Sequence, residues 1–199
     1  MMERMEKPHP PDLGGKRILI GATGSIAVAQ LPVYIGAMRR HIAGSSFTVL
    51  MTHTAAKFLS PAAAGLCAER VVAGESPADW PTDKPSRLAA DHDLVAVLPA
   101  TAHTLAAAAT GAAPNRLMTV ALSVGYPVIY FPVMGAQMWH RPAVQRNIAQ
   151  IRADGHLVNE PLWHDSYDVS SGATSHHPAL PAPQDVARAV GGLLAAPRG

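Results

Sequence analysis

Residues 93–104, DLVAVLPATAHT, constrain this chain more than any other stretch. In DLVAVLP, 93–99, every residue after Asp93 is apolar without alternation, so the run has no face that suits water. A strand of that kind is stable when helices cover it on both sides, as in parallel sheets. A helix pattern follows almost at once, TAHTLAAAAT over 101–110, with Gly111 as its stop.

The same alternation repeats along the chain. RILI at 17–20 reads as a strand that ends in GATGSIA, and a helix of about four turns follows, kinked or broken at Pro32. SFTVLM at 46–51 is a second strand, and THTAAKFLSPAAAGL after it reads as short helices interrupted at Pro61. Residues 73–87, rich in Pro and Asp, read as a surface connection. In the second half the pattern predicts a helix over 117–123 and a strand over 126–132. A further helix spans 139–155, with Pro142 in its first turn and Gly155 at its end. A short strand at 156–158, a polar and weakly periodic stretch at 160–184, and a closing helix at 185–196 complete the chain. Strands alternating with helices predict an α/β, doubly wound, flavodoxin/Rossmann-like parallel sheet with helices on both faces. The expected organisation is a flexible lead-in over 1–15 and a single domain over 16–199, with no internal repeat.

Composition removes several classes of function. The 199 residues are 48% hydrophobic and only 15% charged, which suits a buried core and not a disordered chain. Sixteen Lys and Arg against fourteen Asp and Glu leave a net charge of +2 without a basic cluster, so no nucleic-acid partner is expected. Cys67 is the only cysteine, which excludes an internal disulfide or a cysteine-rich metal site. The ten histidines include no HExxH pattern, and the adjacent pair at 176–177 sits in a polar segment, so no metal is expected. Neither a signal sequence nor a membrane-spanning run is legible, and the expected location is cytoplasmic.

In doubly wound sheets ligands sit beyond the carboxyl ends of the strands. Three segments fall there: GATGS at 21–25, ATAHT at 100–104 and PVMGAQMW at 132–139. The small residues of the first suit close backbone approach to an anion such as a phosphate, although a plain tight turn reads equally well. It is not the GxGxxG fingerprint, and no acidic residue follows about twenty positions on to hold a ribose. Thr101 and Thr104 straddle His103 at a helix start, where hydroxyls cap amides or hold phosphate oxygens. Met134 and Met138 could pack on a flat ring or fill core, and Trp139 reads as an anchor for the helix after it.

Taken together, these segments resemble the homo-oligomeric flavin-containing cysteine decarboxylases, in outline the peptidyl-cysteine decarboxylases of lanthipeptide biosynthesis. GATGSIA resembles that family's phosphate-binding turn, and LPATAHTLAAAATG its PASANT-type motif. APNRLMTVAL resembles the DNLLTT segment, and FPVMGAQMWHRPAVQRN the PAMNxxMWxNPxxQxN segment. YDVSSGATSHHPALP at 167–181 resembles the substrate-covering loop, here placed at about 160–184. That loop holds Ser170 and Ser171 and no cysteine, which fits enzymes that release an enethiol. The resemblance implies flavin mononucleotide, or flavin adenine dinucleotide, and oxidative decarboxylation of a C-terminal peptidyl cysteine to an aminoenethiol. It implies a homotrimer or dodecamer, with a cysteine-ending precursor peptide and other peptide-modifying enzymes as partners.

The residues it assigns to the flavin are Gly21, Ala22, Thr23, Gly24, Ser25, Ile26, Thr52, Thr54, Phe58, Ala100, Thr101, Thr104, Ser123 and Met134. Those it assigns to substrate are His103, Asn115, Met118, Met134, Ser170, Ser171 and Gly172. Three positions depart from the family's pattern. Its catalytic histidine falls on Lys84, Pro85 or Ser86; its PASANT asparagine is His103; and Gly135 replaces the asparagine of PAMN. The working expectation is that His103 contacts the cysteine and supplies the missing acid–base group, with His53 second. The alternatives are a flavin binder that is inactive alone or within a complex, and a flavoprotein with another redox substrate. His92 is expected to face solvent, Lys57 to balance an anion or lie in water, and His140, Arg141 and Arg146 to serve as caps or oligomer contacts.

Overall fold

The computed structural model describes residues 15–74, 80–168 and 172–196. Six parallel strands form one sheet in the order β3-β2-β1-β4-β5-β6. They are β1 (Arg17–Ala22), β2 (Ser46–Met51), β3 (Arg70–Ala73), β4 (Leu94–Ala100), β5 (Ile129–Pro132) and β6 (Leu157–Val158). That is the Rossmann order and not the flavodoxin one, 2-1-3-4-5. Chain direction across the sheet reverses between β1 and β4, which pair in register from Ile18↔Leu94 to Gly21↔Val97.

All seven residues of β4 are buried, as its unbroken apolar run requires. Side-chain alternation in β1 divides the core in two. Ile18 and Ile20 join Phe47 and Val49 under α1 (Leu31–His41) and α10 (Pro183–Ala195). Leu19 joins Val95 and Val97 on the opposite face, with the helices α5 (Pro85–Ala90), α6 (Ala102–Thr110), α7 (Arg116–Ser123) and α9 (Pro142–Ala153). Gly111 closes α6 in the left-handed conformation, φ 66°, where a side chain would be strained.

Several boundaries differ from the sequence expectation for identifiable reasons. The four-turn helix after β1 begins as a 3-10 turn, Ile26–Gln30, and becomes α-helical at Leu31, because Pro32 is accommodated only in a first turn. The helix expected over 139–155 is two helices, α8 (Ala136–Trp139) and α9, and Pro142 starts the second. Of the expected surface connection 73–87, only part is irregular: α4 (Trp80–Asp83) and α5 occupy its second half, and Pro81 and Pro85 fall in first turns. β3 was not legible, since Arg70–Ala73 is too short to show a period; its partner β2 makes it a strand. Just over half of the polar stretch 160–184 forms an antiparallel hairpin, β7 (Leu162–Asp168) with β8 (Ala173–Ala179). The remaining helices, α2 (Ala55–Phe58) and α3 (Pro61–Ala64), are the short pieces divided at Pro61.

Candidate functional site

The turns that follow β1, β2, β4 and β5 leave the sheet at its carboxyl edge and enclose a cavity of about 660 Å³. This size is in the usual range for small-molecule sites. Its wall carries the hydroxyls of Thr23, Ser25, Thr52, Thr54, Thr101 and Thr104, the imidazoles of His53 and His103, and, among the described residues, no carboxylate.

Local hydrogen bonding fixes most of these hydroxyls. Thr23 is buried, donates to the Pro99 carbonyl at 2.7 Å, and accepts the Thr101 amide at 3.2 Å, so it joins the β1 turn to the end of β4. Ser25 caps the 3-10 turn by accepting the Ala27 amide, and Thr52 accepts the Ala55 amide. Thr101 is the N-cap of α6: its Oγ1 accepts the Thr104 amide and lies 3.0 Å from the Thr104 hydroxyl. His103 is thereby held at the second position of α6 with its side chain exposed at the cavity wall. His53 is exposed in the turn between β2 and α2. Asn115 caps α7 through Oδ1, which accepts the Met118 amide at 3.0 Å, so its Nδ2 donors remain for the cavity.

Glycine is demanded at two positions here by close approach. A Cβ on Gly24 would lie 2.6 Å from Thr54 Cγ2, and one on Gly21 would lie 2.5 Å from Leu117 Cδ1. Gly21 therefore lets α7 pack on β1 and does not reach the cavity. At Gly135 a Cβ would meet nothing within 4 Å, so packing does not explain the absence of asparagine there.

Of the residues expected at the flavin or substrate, Thr23, Gly24, Ser25, Thr52, His53, Thr54, Thr101, His103, Thr104, Asn115 and Met134 line this cavity. Gly21, Ala22, Ile26, Phe58, Ala100, Ser123 and Met118 do not. Ala22, Ala100 and Met118 are core residues, while Ile26 and Phe58 are 69% and 46% exposed outside the wall. Ser123 lies at the far end of α7 from Asn115, its hydroxyl donating to the Thr119 carbonyl. Ser170 and Ser171 lie outside the described residues, and Gly172 opens β8 with φ 67°. Ala102, Pro114, Val133 and Met138 complete the wall. Ala102 and Val133 were not singled out, because an apolar neighbour of a polar site residue carries no chemical signal of its own.

The positions expected to hold the catalytic histidine are elsewhere. Pro85 is buried in the first turn of α5, Lys84 and Ser86 are exposed, and none lines the cavity. Nearby, the Arg116 guanidinium is buried with Nη1 3.9 Å from Asp83, which also pairs with Arg70. His92 corrects the expectation of a solvent-facing side chain. It is 7% exposed, with Nδ1 2.6 Å from the Leu88 carbonyl and Nε2 2.8 Å from the Thr48 hydroxyl. The carbonyl can only accept, so Nδ1 carries the proton and Thr48 donates to Nε2. Burial first of all holds this imidazole below its ordinary pKa.

A second cavity of about 650 Å³ adjoins the first, and Met138 lines both. It lies between α8 and the hairpin, bounded by Gly135–Met138 and by Ser166, Tyr167, Ser175, His176 and His177. His140 stacks on Trp163 at 5.3 Å, and Trp163 stacks on His176 at 5.4 Å, so three rings tie the hairpin to the turn after α8. His140 thus makes a contact within the chain. The adjacent histidines diverge as strand neighbours do: His176 pairs with Asp165 on one face, and His177 lies 2.9 Å from the Ser166 hydroxyl on the other.

The Flavoprotein family profile matches residues 6–180 of the chain. Mersacidin decarboxylase of Bacillus sp. (strain HIL-Y85/54728) is 29% identical over 180 residues, covering 89% of this chain and 90% of that protein. The coenzyme A biosynthesis bifunctional protein CoaBC of Mycobacterium tuberculosis (strain ATCC 25618 / H37Rv) is 32% identical over 158 residues. That match covers 79% of this chain but 37% of CoaBC. Among solved structures, the peptidyl-cysteine decarboxylase EpiD variant complexed with substrate peptide DSYTC superposes with a TM-score of 0.76 at 27% identity. It covers 87% of this chain and 97% of that one. The FMN-dependent cysteine decarboxylase SpaF superposes with a TM-score of 0.75 at 28% identity, covering 92% and 97%.

Proposed function

From the premise that this chain belongs to the Flavoprotein family, we propose that it binds FMN in the first cavity and oxidatively decarboxylates a C-terminal peptidyl cysteine. The observation that carries the reading is the wall itself: hydroxyls and amide donors, among the described residues without a carboxylate, two exposed imidazoles, and Met134 and Met138. Hydroxyls suit a phosphate, and thioethers pack well on a flat aromatic ring. The residues present fit the cofactor, with Ser25, Thr54 and the Gly24 backbone at its phosphate and Val133, Met134 and Met138 against its ring. The likeness to FMN-dependent SpaF favours the mononucleotide over flavin adenine dinucleotide.

A bound flavin supplies the two-electron acceptor that amino-acid side chains lack. Asn115 Nδ2 is placed to hold the substrate carboxylate by a charge-assisted hydrogen bond. His103 takes the proton from the cysteine Sγ as the Cβ–H bond is broken and its electron pair removed, which leaves a thioaldehyde on the peptide. When the Cα–carboxylate bond then breaks, its electron pair forms the Cα=Cβ double bond, the C=S π pair moves onto sulfur, and protonated His103 returns a proton to that sulfur. The products are CO2 and an aminoenethiol, which in lanthipeptide-like pathways closes onto a dehydroamino acid. His53 stands on the same wall as a second base. We place the active form as a homotrimer or dodecamer in the cytoplasm, working beside other peptide-modifying enzymes.

The test is mass spectrometry of cysteine-ending peptides incubated with the purified yellow protein. Loss of about 46 mass units, CO2 plus two hydrogens, together with bleaching of the flavin band is expected. One observation favours a second reading, a flavin binder that is inactive alone: Lys84, Pro85 and Ser86, among which the family's acid–base histidine is expected, all lie off the cavity wall. A yellow protein that leaves every such peptide unchanged would establish that reading. Bleaching by another reductant, with no CO2 released, would point to a different redox substrate.

A further inference from the structure

α1 carries Gly36 near its middle, where glycine weakens a helix and neither a positive φ nor a close neighbour calls for it. A Cβ there would meet only the Arg40 guanidinium, at 3.6 Å, an ordinary contact with an exposed side chain. Gly21 and Gly24, by contrast, each make room for a side chain of this chain. Beyond the movable Arg40, the space over Gly36 serves no described residue. It belongs to a recess of about 490 Å³ between α1 and the turn after α3, bounded by Gly36, Arg39, Leu66, Cys67, Ala68 and Glu69.

Leu66 stands on the rim of this recess and is 91% exposed, the most exposed large apolar side chain among the described residues. It is held firmly. The amides of Gly65, Leu66 and Cys67 donate to the carbonyls of Pro61, Ala63 and Ala64, and Cys67 Sγ also donates to the Ala64 carbonyl. Pro61, Ala62 and Gly65 beside it are exposed, and so is Val33, one turn before Gly36 on α1. A lone exposed leucine is ordinary, but a rigid one beside an unfilled recess within an apolar surface marks a contact.

The same face fixes one charge of each sign. Arg39 Nη1 lies 2.7 Å from Glu69 Oε1, and its Nη2 donates to the Cys67 carbonyl. Its guanidinium also lies over the Phe47 ring, while Glu69 Oε2 accepts the Phe47 amide. Both charged side chains remain nearly half exposed. A face that holds a knob, a recess, a cation and an anion complements itself under two-fold rotation. What projects or is positive on one copy meets what is recessed or negative on the other.

We infer that two copies of this chain meet at this face about a two-fold axis. Leu66 of each copy seats in the other's recess over Gly36, and Arg39 of each faces Glu69 of the other. The contact is independent of the reaction assigned to the first cavity, because none of these residues lines either cavity beside α8.

The test is the mass of the full-length protein by analytical ultracentrifugation over a dilution series. The parent should assemble with an even number of chains. Leu66→Asp puts a charge on the knob at a site too exposed to affect folding. Gly36→Leu fills the recess and favours the helix. Each should cut the number of chains to half or less, with unfolding in urea still cooperative. Joining Gly36→Leu to Leu66→Ala moves the knob to the helix and the recess to the turn, so it should regain the assembly that Gly36→Leu loses. An odd number of chains in the parent, or an unchanged mass in either single variant, overturns the two-fold contact. Failure of the double variant to recover overturns the seating of Leu66 on Gly36. Flavin absorbance and CO2 release should match the parent in every variant. Their absence from the parent would count against the flavin reading and leave the two-fold contact untouched.

Discussion

The two edges of the sheet use histidine in opposite ways. At the carboxyl edge, His53 and His103 stand exposed on a cavity wall, on a turn and at a helix start. At the amino edge, His92 precedes β4 by two positions and is sealed in the core with both ring nitrogens engaged. The residue type is the same, and the difference is what surrounds it. Strand ends at the carboxyl edge open into diverging turns, while at the amino edge α5 folds back onto the sheet and Thr48 supplies the remaining partner. An imidazole is therefore free for chemistry at one edge and fixed as a neutral structural group at the other.

The largest effect should come from breaking the exposed side. His103→Asn is expected to lower kcat for cysteine decarboxylation about a hundredfold with flavin content unchanged, as loss of a general acid–base group does. An unchanged rate in steady-state assays would remove His103 from the mechanism and leave His53 as the base. On the buried side, His92→Ala should lower stability by about 2 kcal/mol, since it empties core volume and leaves the Leu88 carbonyl and Thr48 hydroxyl unpaired. Urea unfolding measures this, and the folded variant should keep its flavin and its kcat.

Gly24→Ala tests the wall from the other direction. The new Cβ would press on Thr54, so flavin affinity should fall about tenfold while the unfolding midpoint moves little. Equilibrium dialysis against FMN reads that change, and an unaltered affinity would mean that Thr54 simply rotates away. The smallest effect is in pH. Burial lowers the His92 pKa, so the unfolded chain takes up its proton first as the medium is acidified. This contribution to stability is intact above about pH 6.5 and is lost progressively below it, down to the folded-state pKa. Urea midpoints between pH 8 and 5 should show that decline in the parent protein and a shallower one in His92→Gln.

Much of the fold was legible because the strongest signals are local. The unbroken apolar run of β4 required two covering layers, and Gly111 and Pro142 marked helix ends through backbone geometry that only those residues favour. The hairpin was not legible. Its strands LWHDSYD and ATSHHPA alternate little in polarity, because only part of the hairpin packs on the body and both faces carry imidazoles and hydroxyls. His92 was misplaced for a related reason: a histidine between two aspartates looks solvated until Leu88 and Thr48 are brought to it.

The candidate site divides along the same line. Short-range chemistry announced GATGS and ATAHT, since caps and close-approach glycines act within a few residues of themselves. The sequence alone determined the layered α/β class, the turns at the carboxyl edge, and the presence of an imidazole beside a capped helix start. Only the tertiary structure decided that Gly21 serves α7 and that Thr23 is a strut between β1 and β4. It alone placed a second cavity beside the first, between α8 and the β7–β8 hairpin. Those outcomes depend on partners about 30 to 100 positions apart, and no local period or propensity carries information across such a span.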